Sequence, residues 1–148
     1  MLEVLLYLFE NYIASMAPLP EIDVLHEELV EVGFPPDLVD EAFDWLQELA
    51  QEPLVAPEEV IGFHIYSPEE MRFLSRECRA LLLSLEQNGM ISPAERELII
   101  ERATALKTPI DPEDLKWLIL LVLCGRPESG EAFEKVEAWL YRSQGEIH

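Results

Sequence analysis

The chain has 148 residues, 49% of them apolar, with 30 acidic against 10 basic side chains and a formal charge of −20. That apolar share excludes a disordered acidic chain. Two isolated cysteines exclude a disulfide framework or a zinc ligand set, and no run approaches the ~18 apolar residues of a membrane span.

The charge is also segregated. Met1 to Met71 carries 17 acids and no Lys or Arg, while all ten bases lie between Arg72 and Arg142 beside 13 acids. Such a field repels polyanions from the N-terminal half and steers a basic partner toward it.

Helical spacing governs most of the chain. Leu2, Leu5, Leu6, Phe9, Ile13 and Met16 recur at three- and four-residue steps and predict a first helix, ended by Pro18 and Pro20. A second is expected over roughly Asp23–Val32, with Leu25, Leu29 and Val32 inward and Gly33 as its stop. Pro35-Pro36-Asp37 opens a third, whose stripe is Leu38, Ala42, Phe43, Leu46 and Leu49. From Gln51 to Tyr66 the pattern changes. Pro53 and Pro57 preclude a helix before Glu58, and Val60, Ile61, Phe63 and Ile65 favour extended backbone. This stretch reads as a linker with room for one short extended segment.

The C-terminal half announces its helices explicitly. Ser67-Pro68-Glu69-Glu70 and Ser92-Pro93-Ala94-Glu95 are capping boxes with proline at the first helical position, and Asp111-Pro112-Glu113-Asp114 repeats the arrangement with an Asp cap. They predict helices over about Pro68–Asn88, Pro93–Leu106 and Pro112–Cys124, with Gly89 and Gly125 as the stops after the first and third. A last helix, about Glu131–Ser143, is expected to bury Phe133, Val136 and Leu140. Leu115–Leu123 is apolar on nearly every side, which only a centrally packed helix tolerates. The expected fold is all-α: about seven helices in two lobes around a central apolar helix. The expected organisation is an acidic N-terminal lobe over 1–50, a linker over 51–66 and a C-terminal lobe over 67–148.

Candidate functional residues are few. Asp37, Asp40, Glu41, Asp44 and Glu48 share one face of the third helix. Like charges at that spacing cost a few tenths of a kcal/mol per pair, which solvent tolerates. This face is the candidate docking surface for a basic protein. A hard-cation site there lacks a ligand-bearing loop, so no metal is expected.

His26, His64 and His148 read as structural or exposed. No serine elbow or glycine-rich phosphate loop occurs, and both cysteines lie on helical core stripes. Neither enzymatic activity nor a cofactor is expected; a polar pocket joining His64 to several carboxylates would argue otherwise.

Arg79–Leu106 has helix–turn–helix spacing. Arg72, Arg76 and Arg79 at i, i+4 and i+7, with Arg96 and Arg102 on the next helix, are the candidate nucleic-acid contacts. Glu95, Glu97 and Glu101 interleave with them, and phosphate neutralisation is poorly served. Direct duplex binding therefore ranks below protein interaction, beside acidic mimicry of DNA. The line Arg72–Arg76–Arg79 either grips a phosphate or answers neighbouring acids. Glu3 stands where a secretory signal carries Lys or Arg, and a cytoplasmic location without membrane contact is expected.

Several runs carry a family resemblance. Leu2-Glu3-Val4-Leu5-Leu6-Tyr7-Leu8-Phe9-Glu10-Asn11-Tyr12-Ile13, Val32-Gly33-Phe34 and Ile65-Tyr66-Ser67-Pro68-Glu69-Glu70 are three of them. Cys78-Arg79, Leu85-Glu86-Gln87, Glu95-Arg96-Glu97-Leu98-Ile99-Ile100-Glu101-Arg102 and Asp114-Leu115-Lys116-Trp117 are the others. Together they resemble the bacterial Smg family across nearly the whole chain, least between Gln51 and Ile65. The resemblance brings no catalytic residues with it, since the family has no accepted ones. It implies only a genomic neighbourhood of DNA-processing and translation-related genes.

Overall fold

The computed structural model describes residues 2–13, 20–51, 64–124 and 130–146. Helices dominate, and the one pairing of extended backbone among the described residues is a parallel bridge between Leu74 and Ile110. The fold is all-α, as the spacing predicts. The expected stops at Pro18 and Gly125, most of the linker and His148 lie outside the described residues. The chain divides into two compact units, Met1–Gln51 and Glu52–His148.

The first unit packs α1 (Leu2–Leu8) and α2 (Ile22–Val32) against α3 (Pro36–Gln51). Val4, Leu5, Leu8 and Phe9, Leu25 and Leu29, and Val39, Ala42, Trp45 and Leu49 are its buried core. Two expected stripes are thus rotated. Trp45 and Val39 are buried where Leu38, Phe43 and Leu46 are half-buried, and Val32 is exposed.

Past Leu8 the first helix widens into a π-helical turn over Phe9–Ile13. The Tyr7 and Tyr12 hydroxyls both donate to the Glu28 carboxylate on α2. That hydrogen bond, joined by burial and the carboxylate charge, pushes the Tyr12 phenol up to about 12. Gly33 ends α2 at φ 122°, with its N–H on the Val30 carbonyl and the Phe34 N–H on Leu29. This doubly bonded stop needs the left-handed backbone that glycine adopts freely.

The second unit holds α4 (Pro68–Phe73), α5 (Arg76–Gln87), α6 (Pro93–Thr104), α7 (Pro112–Cys124) and α8 (Gly130–Glu146). Ser67 and Ser92 each accept from the N–H three residues on and receive the Glu side chain in return, both complete capping boxes. Asp111 caps α7 through the Asp114 N–H at 2.8 Å.

The single helix expected over Pro68–Asn88 is two helices. Leu74 turns extended and fully buried, the Ile110 N–H bonds the Phe73 carbonyl at 3.2 Å, and Ser75 caps α5 through the Cys78 N–H. Leu74 keeps its own N–H on the Glu70 carbonyl at 2.9 Å, and it is the Phe73 carbonyl that leaves the helical ladder to latch onto the α6–α7 connection. At the far end of α5, Gly89 at φ 72° donates to the Glu86 carbonyl while Met90 donates to Leu85, the expected glycine stop.

Seven of the thirteen residues of α7 are buried, among them every residue from Leu118 to Leu123, and α5, α6 and α8 pack against it. No helix among the described residues is long and apolar enough to cross a membrane.

Ile119 and Leu118 are fully enclosed, so Ile119→Ala or Leu118→Ala should cost about 2–5 kcal/mol in urea unfolding. Ser75→Ala removes one cap and should cost ~1 kcal/mol. An Ile119→Ala loss no larger than that of Ser75→Ala would contradict the central placement of α7.

Candidate functional site

The five carboxylates of α3 behave as their spacing predicts in one respect: Asp37, Asp40, Glu41, Asp44 and Glu48 are all exposed. Asp40 meets the His26 ring at 3.0 Å across α2 and α3, and the His26 ring tilts against Phe43. His26 therefore ties two helices together. The unit contains no Lys or Arg.

The five candidate arginines separate. Arg72 lies on α4 and Arg76 and Arg79 on α5, so the break at Leu74–Ser75 ends the single-helix line. Arg96 and Arg102, expected to face nucleic acid, are only 4% and 3% exposed. Eight of the twelve residues of α6 are buried, and its open stripe, Pro93, Glu97, Glu101 and Thr104, offers two acids and no base to a DNA groove. Arg96 instead spans to α5, donating from Nη1 to both Glu86 oxygens at 2.8 and 2.9 Å, with Glu97 at 3.6 Å from Nη2. Arg102 meets Glu101 at 3.5 Å.

A cluster that sequence spacing does not reveal forms around His64. Its Nδ1 faces Glu97 of α6 at 2.5 Å, and its Nε2 faces both oxygens of Glu70 of α4 at 3.0 Å. Glu70 is the reciprocal member of the Ser67 capping box, bonded by the Ser67 N–H at 2.8 Å. The His64 ring stands edge-on to Tyr66 with centroids 4.7 Å apart, and the Arg79 guanidinium lies over the Tyr66 ring.

His64 and Tyr66 form one wall of a cavity of about 330 Å³ whose other walls come from α5 and from Arg96. The only sequence signal for this cluster is the residual basic line. His64 is 33 residues from Glu97, a separation that periodicity cannot bridge.

His64 is thus joined to carboxylates beside a cavity, the arrangement named above as an argument for an enzyme, but the chemistry of the cluster is restrained. A general base needs a ring nitrogen open to substrate, but both nitrogens of His64 already face carboxylates. Glu70 and Glu97 sit at different nitrogens of the ring, so they hold the ring instead of converging on a shared ion. Among the described residues no group of three His, Cys, Asp or Glu is placed to hold a metal ion. Burial pushes the Cys78 and Cys124 thiols up, Cys124 to about 11, which disfavours the nucleophilic thiolate.

Burial raises the Glu70 carboxyl, but the Ser67 N–H and the His64 ring outweigh it and hold the group below its usual value. A carboxylate depressed in the folded state contributes stability above its unfolded pKa of about 4.3, and loses it as pH falls through the folded value. The melting temperatures of the wild type and Glu70→Gln should therefore differ near pH 7 and converge as pH drops below ~4. A difference that stays constant with pH would mean that the carboxylate charge is not what matters at this position. Separately, Glu86→Ala leaves the buried Arg96 without its two-point partner and should cost about 1–3 kcal/mol, measured by denaturant unfolding.

Comparison with known proteins places the chain in a family. The family described as "Protein of unknown function (DUF494)" matches residues 1–148. The "Protein Smg homolog" of Methylococcus capsulatus is 43% identical over 150 residues, covering 99% of this chain and 96% of the relative. That of Stenotrophomonas maltophilia is 42% identical over 149 residues, covering 98% and 95%. "Protein Smg" of Escherichia coli O6:H1 is 39% identical over 157 residues, with both chains covered in full. No solved structure matches. The chain belongs to the DUF494 family, that of the bacterial Smg proteins.

Proposed function

We propose that the protein is a non-enzymatic interaction module whose N-terminal unit offers the acidic face of α3 to a basic protein surface. The observation that carries this reading is the exposure of all five α3 carboxylates on a unit without a single Lys or Arg. Unscreened charge of one sign accelerates encounter with a complementary surface and repels wrong partners. The occupied ring nitrogens of His64 and the raised thiols support a non-catalytic role. Burial of Arg96 and Arg102 disfavours direct duplex binding through α6.

Carbodiimide cross-linking in native lysate tests this directly, because it joins carboxylates to amines and the first unit holds no lysine of its own. At low salt, Asp37, Glu41 and Asp44 should couple to lysines of a partner protein. The coupling should weaken at ~0.5 M salt and vanish in the Glu41→Lys, Asp44→Lys variant. Cross-links that ignore both salt and charge reversal, or no cross-link from α3 at low salt, would refute the docking role.

A further inference from the structure

The chain holds three acids for every base, and Arg96, Arg102, Lys116 and Lys135 each meet a carboxylate. Among the described residues Arg72, Arg76, Arg79 and Lys107 do not, and of these four Arg76 and Arg79 line the 330 Å³ cavity beside His64. The carboxylates of the cavity wall and of the adjoining His64 cluster are engaged. Glu86, in the same cavity, takes both bonds from Arg96, while Glu70 and Glu97 hold the His64 ring. Arg79 is fixed in place over Tyr66 at 5.7 Å and through Nε to the Ser75 carbonyl at 3.4 Å. Arg79 is thus held at one end of a cavity whose lining carboxylate, Glu86, is already engaged, with the exposed Arg76 beside it.

The cavity wall has a second property. Arg76, Arg79, Ala80 and Leu83 stand at i, i+3, i+4 and i+7, one face of α5. This face is cationic over its first turn and apolar over its second, and Leu83 is 43% exposed there. We propose that this cavity binds a small organic phosphate, with the phosphomonoester group between Arg76 and Arg79 and an apolar body against Ala80 and Leu83. A phosphomonoester carries close to two negative charges at neutral pH, which two guanidiniums match. Their planar forks suit its oxygens better than a point charge would. The volume lies at the small end of ligand pockets, room for one small molecule and not for a nucleic-acid strand.

The test is NMR titration of the full-length protein, following the Arg76 and Arg79 side-chain Nε–H signals and the Leu83 methyls. The probes are phenyl phosphate, inorganic phosphate, benzoate and a 5′-phosphorylated oligonucleotide. Phenyl phosphate should produce saturable shifts at all three residues, with affinity about tenfold above that of benzoate, whose single charge gives up part of the charge-assisted bonding. Inorganic phosphate should shift the two arginines but not Leu83. Arg76→Gln with Arg79→Gln should lower phenyl phosphate affinity at least about tenfold, with the α7 methyl signals unchanged as proof of folding. Leu83→Ala should weaken phenyl phosphate and leave inorganic phosphate unaffected, a check independent of the arginine variant. The proposal is overturned if phenyl phosphate gives no saturable shift in the wild type, if benzoate binds as tightly, or if the oligonucleotide binds more tightly than phenyl phosphate.

Discussion

The second unit depends on one constraint: α7 has no polar side to show to water. From Leu118 to Leu123 every side chain is buried, and each large one contributes roughly 1.5–3 kcal/mol relative to exposure. Enclosing such a helix takes neighbours on several sides, and α5, α6 and α8 supply them. The same enclosure explains why α6 is buried on most of its circumference. Its arginines lie on the buried side, away from the narrow acidic stripe that faces solvent, and Arg96 satisfies its charge internally on Glu86. α5 packs α7 and α6 through Cys78, Leu82 and Leu85 and keeps a free face, the one carrying Arg76, Arg79 and Leu83. The cavity is thus a by-product of where the central helix has to go.

The first unit follows a different rule. Its core is modest, built on Leu5, Leu29, Ala42 and Trp45, and its outside carries acids without cations. The polar contacts that tie its helices together include two tyrosine hydroxyls on Glu28 and one histidine on Asp40. This is the expected solution for a unit with no arginine to span its helices. It leaves the charge of α3 directed at solvent, and so at any basic surface that approaches.

Much of the fold was legible in the sequence, because its signals are local. A serine followed three residues later by glutamate, with proline between them, fixes where α4 and α6 begin. Gly33 and Gly89 fix where α2 and α5 end, and the unbroken apolar run fixes α7. The break at Leu74–Ser75 was not legible. Ser75 has no proline after it and no glutamate at its third position, and what turns Leu74 out of the helix is the Ile110 backbone, 36 residues away in the chain. The site divides along the same line. The exposed acids of α3 could be read from helical spacing alone. The inward turn of Arg96 and the capture of His64 by Glu70 and Glu97 arise from packing between elements distant in sequence, which spacing does not record.

Native-state hydrogen exchange tests the central placement of α7 most directly. If its enclosure organises the second unit, the amides of Leu118 to Val122 exchange only through global unfolding, with protection equal to the full unfolding free energy. The amides of α4, which buries no side chain of its own, open earlier. Exchange at Ile119 and Leu120 as fast as at Met71 and Arg72 would contradict the account.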